Sequence, residues 1–378
     1  MCGNYPRLVA VLAVLAGMPL GCADADSSAP ADADESLDSG SFSEVAAIKG
    51  RVTDVTGIPL KDVEVTASGS KGRTDEQGRF EIMVPASKET RLSVESDKYS
   101  GAALAVKPQK DVGAQVELSV KERSSVTLSA AEKGGRVEGT DGFALELPAG
   151  GLKDASEKAV SGAVEVRYAI VKRASDVSAA PGRMETDNQK GLDGYGIVEV
   201  RFYKDGQRVT PIKEMRVEVP LHDEHGLAEG QEVELYGLGK SDTQWKATAK
   251  AKVQANKVVV STMRDDWLGA AQETPVSSCV SGTLGVAAPG GGENSKLKNT
   301  AVRAARARGL SLVQAQTADD GSFCLPVSPD DDWHVTTYYD DSAQSYGLAV
   351  DLNSSNAAGM CGGSGCKNLG EVPLPALE

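Results

Sequence analysis

From Val45 onward, apolar side chains fall on every second position of short runs, and turn residues separate the runs. Ile48-x-Gly50-x-Val52, Val63-x-Val65-x-Ala67, Phe80-x-Ile82-x-Val84, Leu92-x-Val94 and Val116-x-Leu118-x-Val120 each present a single apolar face. A period of two fits a half-buried strand and excludes an amphipathic helix. Asp54 to Pro59 and Thr74 to Gly78 supply the turns. Aromatics make up only 4% of the chain, so the cores must be small and built from Val, Leu and Ala. The expectation is an all-β chain of tandem β-sandwiches, Ig-like or transthyretin-like.

The same grammar returns near the C-terminus. Val280-x-Gly282-x-Leu284 answers Ile48-x-Gly50-x-Val52, and Lys298 to Ala304 answers Lys61 to Ala67. Thr317-Ala318-Asp319-Asp320-Gly321-Ser322-Phe323-x-Leu325 answers Thr74-Asp75-Glu76-Gln77-Gly78-Arg79-Phe80-x-Ile82. Two copies so far apart predict two like modules flanking a different region. That middle region also alternates, at Val164-x-Val166-x-Tyr168, Ile197 to Phe202, Met215-x-Val217-x-Val219, Val233-x-Leu235 and Val258 to Val260. The expected division is 1–21 signal peptide, 22–44 disordered acidic tether, 45–122 first sandwich, 123–272 central sandwich and 273–378 second sandwich. The 172–195 stretch reads as a long mobile loop.

The run I-x-G-x-V, P-L-x-x-V-x-V, T-D-x-x-G-x-F-x-I-x-V-P over 45–122 resembles the carboxypeptidase-regulatory-like domain, a transthyretin-like sandwich of seven strands. Residues 276–378 resemble it less closely and carry a Gly-rich insertion at 289–295. Gly134-Gly135-x-Val137, followed by Leu145-x-Leu147-Pro148-Ala149-Gly150, resembles the opening of the zona-occludens/netrin-receptor type sandwich. The whole order is similar to exported bacterial lipoproteins that carry regulatory-like modules around such a core. These resemblances imply a fold and no chemistry. Some relatives of the middle domain cleave themselves at a His-Phe-Ser strand. The stretch Val260 to Trp267 lacks it, so self-cleavage is not expected.

The N-terminus points to export. Arg7 precedes an apolar run from Leu8 to Leu20, too short for a span of ~20 residues but suited to a signal peptide. It ends at Leu20-Gly21-Cys22, which resembles a bacterial lipobox with Cys22 as the lipidated residue, although Pro19 stands where that motif has Leu. Ala23-Asp24-Ala25 offers ordinary cleavage and secretion instead. The expected location is the cell envelope, as an outer-membrane lipoprotein facing the periplasm or the exterior. A formal charge of -14 makes nucleic acid an unlikely partner.

Candidate chemistry is sparse. Cys279, Cys324, Cys361 and Cys366 cluster in the last quarter and read as two disulfides of an exported domain. Three pairings exist. Strand parity places Cys279 and Cys324 together on an outer face, which predicts 279–324 and 361–366, and zinc is the weaker alternative. His222-Asp223-Glu224-His225 holds two imidazoles and two carboxylates, so His222 and His225 are weak metal candidates; Pro220 and Gly226 place them in a turn. His334, beside Trp333, reads as packing or facing solvent. Asp319-Asp320, Asp330-Asp331-Asp332 and Asp340-Asp341 are weak calcium candidates without EF-hand spacing. Gly237 to Ser241 ends like a P-loop, but Glu234 takes the place of the required glycine and a hairpin turn is expected. Ser364 is followed by Gly365 and Cys366, so no nucleophile elbow forms. Trp333, Tyr338, Tyr339 and Tyr346 form the sole aromatic cluster that a glycan could meet. The expected function is a non-catalytic envelope scaffold. The alternative is an accessory module that binds carbohydrate or protein beside a separate enzyme. A hydrolase lacks its motifs, and no cofactor is expected.

Overall fold

The computed structural model describes residues 44–378 apart from 187, 189, 241, 275–276, 287–293, 342–344, 355–358 and 376–378. The expected signal peptide, Cys22 and the 22–43 part of the tether lie outside the described residues, as does most of the 289–295 insertion. Ser43–Glu378 form one compact unit. Among the described residues it is all β apart from two short 3-10 turns, Thr140–Gly142 and Ala174–Ala179. Among the described residues no helix is long and apolar enough to cross a membrane.

The two sequence copies share one strand plan. In the first, Val45–Asp54 pairs antiparallel with Arg79–Pro85 and parallel with Ala114–Val120. In the second, Ser278–Val286 pairs antiparallel with Ser322–Val327 and parallel with Lys367–Leu374. The facing sheet of the first runs Ser70–Arg73, Glu64–Ala67, Thr90–Glu95, Ala103–Val106; that of the second runs Leu312–Gln316, Ala301–Arg306, Asp332–Asp340, Ser345–Asn353. Four antiparallel strands thus face a core sheet of three strands in the first repeat and of four in the second, where Ser295–Lys296 is added, and the alternating apolar faces meet between them.

The repeated residues do the same work twice. Gly50 lies opposite Phe80 and Gly282 opposite Phe323. In each case the ring covers the glycine: a Cβ on Gly50 would meet Phe80 Cζ at 2.9 Å, and one on Gly282 would meet Phe323 Cζ at 3.0 Å. A side chain at either position would displace the ring. Thr74 accepts from Val63 N–H through Oγ1 at 2.9 Å, and Thr317 accepts from Thr300 N–H at 2.9 Å. These hydroxyls satisfy backbone donors where the strand leaves the ladder.

Between the repeats lies one twelve-stranded sheet that folds over on itself. One limb contributes Val164, Val166, Tyr168, Val198, Val200 and Phe202, the other Leu145, Leu147, Val217, Val219, Val258 and Val260, and all share one buried core. Lys246–Gln254 joins the limbs, pairing with Glu232–Leu238 on one side and with Lys257–Thr262 on the other. Gly237 and Leu238 end the strand Glu232–Leu238, and Gly239 and Lys240 follow it and lead into this antiparallel pair, as the expected hairpin turn requires; Ser241 lies outside the described residues.

The expected mobile loop is a correction. The Ala174–Ala179 turn buries Asp176, Val177 and Ala179, and Ala180, Pro181, Gly182 and Met184 are buried after it. Trp245 Nε1 donates to Pro181 O, and Met184 N–H donates to Leu312 O at 3.1 Å. The segment is rich in small residues, so it fits as a wedge where longer side chains would clash. Val177, Ala180 and Met184 join Tyr236, Trp245 and Trp267 of the central sheet and Leu310 and Leu312 of the second repeat in one apolar cluster.

Candidate functional site

The three parts meet at a junction made of buried charge and backbone capture. Arg123 and Glu199 have side chains 1% and 0% exposed and form a two-pronged pair, Nε to Oε2 at 2.8 Å and Nη2 to Oε1 at 3.0 Å. Arg201 adds a second cation at 2.8 Å. Gly101 N–H donates to Glu199, Arg123 donates to Ser96 O, and Trp267 Nε1 donates to Gly101 O. Burial alone would raise the Glu199 carboxyl; the guanidinium groups of Arg123 and Arg201, with the hydrogen bonds from Arg123 and Gly101, outweigh it and hold the group below its ordinary value. The first repeat is therefore clamped to the central sheet through its 96–101 turn.

The second repeat docks on both other parts. Asn299 Nδ2 donates to Lys107 O and Gly113 O, Gln115 Nε2 to Asp340 O, and Lys107 N–H to Gln316 Oε1. Ala301 completes the apolar core of the first repeat. Arg306 bonds Asp193 at 2.7 Å. Arg303, buried, donates to Ser178 O at 2.9 Å and Glu117 O at 3.5 Å. Burial pushes its guanidinium below the ordinary arginine value, with Glu117 opposing.

A cleft of about 590 Å³ opens where the parts converge. Thr53, Ser119 and Thr336 bring hydroxyls to it, and Gly347 and Ala349 keep it open. Its ionisable groups have partners: Arg51 with Glu117 at 2.6 Å, Arg306 with Asp193, His334 Nδ1 with Asp351 at 2.7 Å, and Asp54 with the N–H groups of Thr56 and Ile58. Such a wall offers hydrogen bonds.

The structure places the remaining sequence candidates as follows. The disulfide pairing is corrected: Cys279 bonds Cys366 and Cys324 bonds Cys361. Cys279 lies opposite Pro326, and Cys324 opposite Ser281, so the two are diagonal rather than facing. The parallel strand Lys367–Leu374 runs beside Ser278–Val286 with Lys367 opposite Val280, and this brings Cys366 next to Cys279 with a Cα separation of 4.6 Å. Cys279 is also fully buried rather than on an open face.

The aromatic face is likewise corrected. Trp333 and Tyr338 are each 1% exposed. Trp333 belongs to the core of the second repeat, and Tyr338 lies under the Arg51 guanidinium, 4.9 Å from its ring centre. Tyr339 is part-buried against the same core, and the side chain of Tyr346 lies outside the described residues. Trp333 and Tyr338, buried in this way, cannot stack on a ligand.

His225 has both nitrogens engaged. Nδ1 accepts from Leu227 N–H at 2.9 Å, so Nε2 carries the proton and donates to Asn256 Oδ1 at 2.6 Å. His222 packs 6.1 Å from it, centre to centre, and its pKa is lowered by burial and by His225. The acidic turns do not converge: Asp320 accepts from Ser322 N–H, Asp331 pairs with Arg306, Asp332 accepts from Asn353 and Asp340 lies 3.8 Å from Arg79. Sequence reasoning missed Arg123, Glu199 and the 96–101 turn, whose residues carry no local signal of burial.

No known protein family and no curated protein matches the chain. Solved structures similar to it include the major pilin subunit of Bacillus cereus, at 10% identity over 88% of this chain and 100% of that one, with a TM-score of 0.19. The Bacillus anthracis TIE protein is 12% identical over 88% of this chain, which spans 51% of that protein, with a TM-score of 0.19. A streptococcal ancillary pilin is 11% identical over 88% of this chain and 99% of that one, with a TM-score of 0.17. Superpositions this loose carry nothing about function.

Proposed function

We propose that this protein is a non-catalytic scaffold of the cell envelope. In this reading it is a lipoprotein held to the membrane through Cys22, set off by the acidic stretch that follows, and no cofactor is required. The observation that supports it is the Arg123–Glu199–Arg201 cluster, sealed from water where two β units meet. Parting the first repeat from the central sheet breaks the bonds from Gly101 N–H to Glu199, from Arg123 to Ser96 O and from Trp267 to Gly101 O that cover the cluster, so the two parts resist separation. A rigid block on a tether suits display or spacing better than turnover.

Calorimetry of the full chain extracted in detergent tests rigidity. One transition with equal calorimetric and van't Hoff enthalpies is expected. Several separate transitions would remove the single-block reading. Intact mass tests the anchor: a chain beginning at Cys22 with acyl chains supports it, and one beginning beyond Ala25 points to secretion.

The cleft supports a second reading, an accessory module for carbohydrate or protein. Its hydroxyls and small residues suit a polar ligand. Glycan-array binding that disappears in Ala349→Trp would favour this reading over the first.

A further inference from the structure

Two disulfides of the second repeat meet at their sulfurs. The Sγ atoms of Cys279, Cys324 and Cys366 all lie within 4.8 Å of one another. Cys324 Sγ, though bonded to Cys361, is 3.8 Å from Cys366 Sγ. Their exposures are graded: Cys279 is fully buried, Cys324 and Cys366 are part-buried, and Cys361 is exposed. Cys361 also borders a groove of about 660 Å³ whose wall carries Glu89, Arg183, Glu185 and Lys190. The groove is large enough for a small ligand, and charges of both signs complement the ends of a short peptide.

We propose that these four cysteines form an exchange relay that captures a thiol-bearing peptide on Cys361. The peptide thiolate attacks Cys361 Sγ, the exposed sulfur, and the Cys324–Cys361 bond breaks with Cys324 leaving as thiolate. Freed, the Cys324 side chain turns about its Cα–Cβ bond into line with the neighbouring disulfide and attacks Cys366 Sγ. The Cys279–Cys366 bond breaks, and Cys279 takes up the proton that the peptide thiol lost. The peptide sulfur is oxidised into a mixed disulfide, the Cys279 sulfur is reduced to a thiol, and no other oxidant or reductant enters. The Cys279 thiol is then fully buried, out of reach of solvent base, which slows the reverse attack and holds the captured peptide.

The test incubates the full chain with reduced glutathione, quenches with acid, alkylates free thiols and maps the cysteine peptides by mass spectrometry. Glutathione on Cys361, a new Cys324–Cys366 crosslink and alkylated Cys279 are expected in equal amounts. Capture of 2-mercaptoethanol at equal thiolate concentration should be several-fold slower, and equal rates would overturn the assignment to a peptide. An adduct on another cysteine, free Cys324 beside an intact Cys279–Cys366 bond, or no adduct would overturn the relay. The Cys361→Ser variant gives an independent reading without added thiol. Its free thiol should divide between Cys324 and Cys279, and alkylation of Cys324 alone would overturn the transfer step.

Discussion

The two repeats follow one strand plan but are held together by different means. Where the second has Cys279, Cys366 and Cys324, the matching strand positions of the first hold Ala47, Gly113 and Glu81. The cores differ to match. In the first, Ile48, Val52, Val65, Leu92, Val116 and Val120 are fully shielded, and Tyr99 is a partly covered neighbour. In the second, Val286, Val313, Leu348, Val350, Leu352, Leu369 and Val372 are covered only in part. Less apolar surface removed from water means less hydrophobic stabilisation. Covalent links make up the difference where packing is thin, and neighbours do so where it is dense. The first repeat cannot borrow the staple, because Gly113 sits at φ 75° and a side chain there would press on Ala47 O.

The largest test of this contrast is reduction. The Cys279–Cys366 bond closes a separation of 87 residues and Cys324–Cys361 one of 37. Chain entropy assigns them about 4.6 and about 3.8 kcal/mol. Guanidinium titration with and without reductant should show the second repeat losing stability first, with hydrogen exchange in Ser345–Asn353 rising before exchange in Val45–Asp54. Equal losses in both repeats would break the contrast.

Next comes the buried ion cluster that anchors the first repeat. Arg123→Ala should cost about 1–3 kcal/mol, less than a fully stranded buried charge would, because Arg201 stays 2.8 Å from Glu199. The pH dependence has a definite sign. The Glu199 carboxyl is depressed in the fold, so its contribution is present above the unfolded carboxyl value and is lost as pH falls through the lowered folded value. Glu199→Gln should flatten the acid side of the stability profile measured by urea titration. An unchanged acid limb would show that other carboxylates set it.

Smaller effects separate equivalent residues. Gly50→Ala meets Val116 and Phe80 atoms at closer range than Gly282→Ala meets Phe323, so it should cost more, within about 1–3 kcal/mol for overpacking. Thr74 both accepts from Val63 and donates to Leu60 O at 2.5 Å, whereas Thr317 accepts from Thr300. Thr74→Val should therefore lose about 1 kcal/mol more than Thr317→Val, one hydrogen bond's worth, by thermal denaturation.

The strands and the repeat were legible because alternation and a shared turn are local signals. What escaped depended on partners distant in the chain. Lys367–Leu374 is polar and mostly exposed, so nothing marked it as the strand that delivers Cys366. Lys246–Gln254 alternates Ala and Lys, both good helix formers, and is a strand because it bridges two limbs. Tyr338 breaks the parity of its own strand and is buried by Arg51 from the other repeat. Arg123 and Glu199 read as solvated charges until the 96–101 turn closes over them.

The contribution of Ala301 to the first repeat's core, and the clasp of Asn299 on Lys107 and Gly113, have a consequence for the order of folding. A chain threaded out from its N-terminus presents Ile48 and Val116 long before Ala301 joins their cluster. Contacts of such span form slowly, and apolar surface waits uncovered meanwhile. The earliest strands to emerge are finished by some of the last, so a ribosome-stalled or truncated product would leave a half-closed sandwich prone to stick to its own kind.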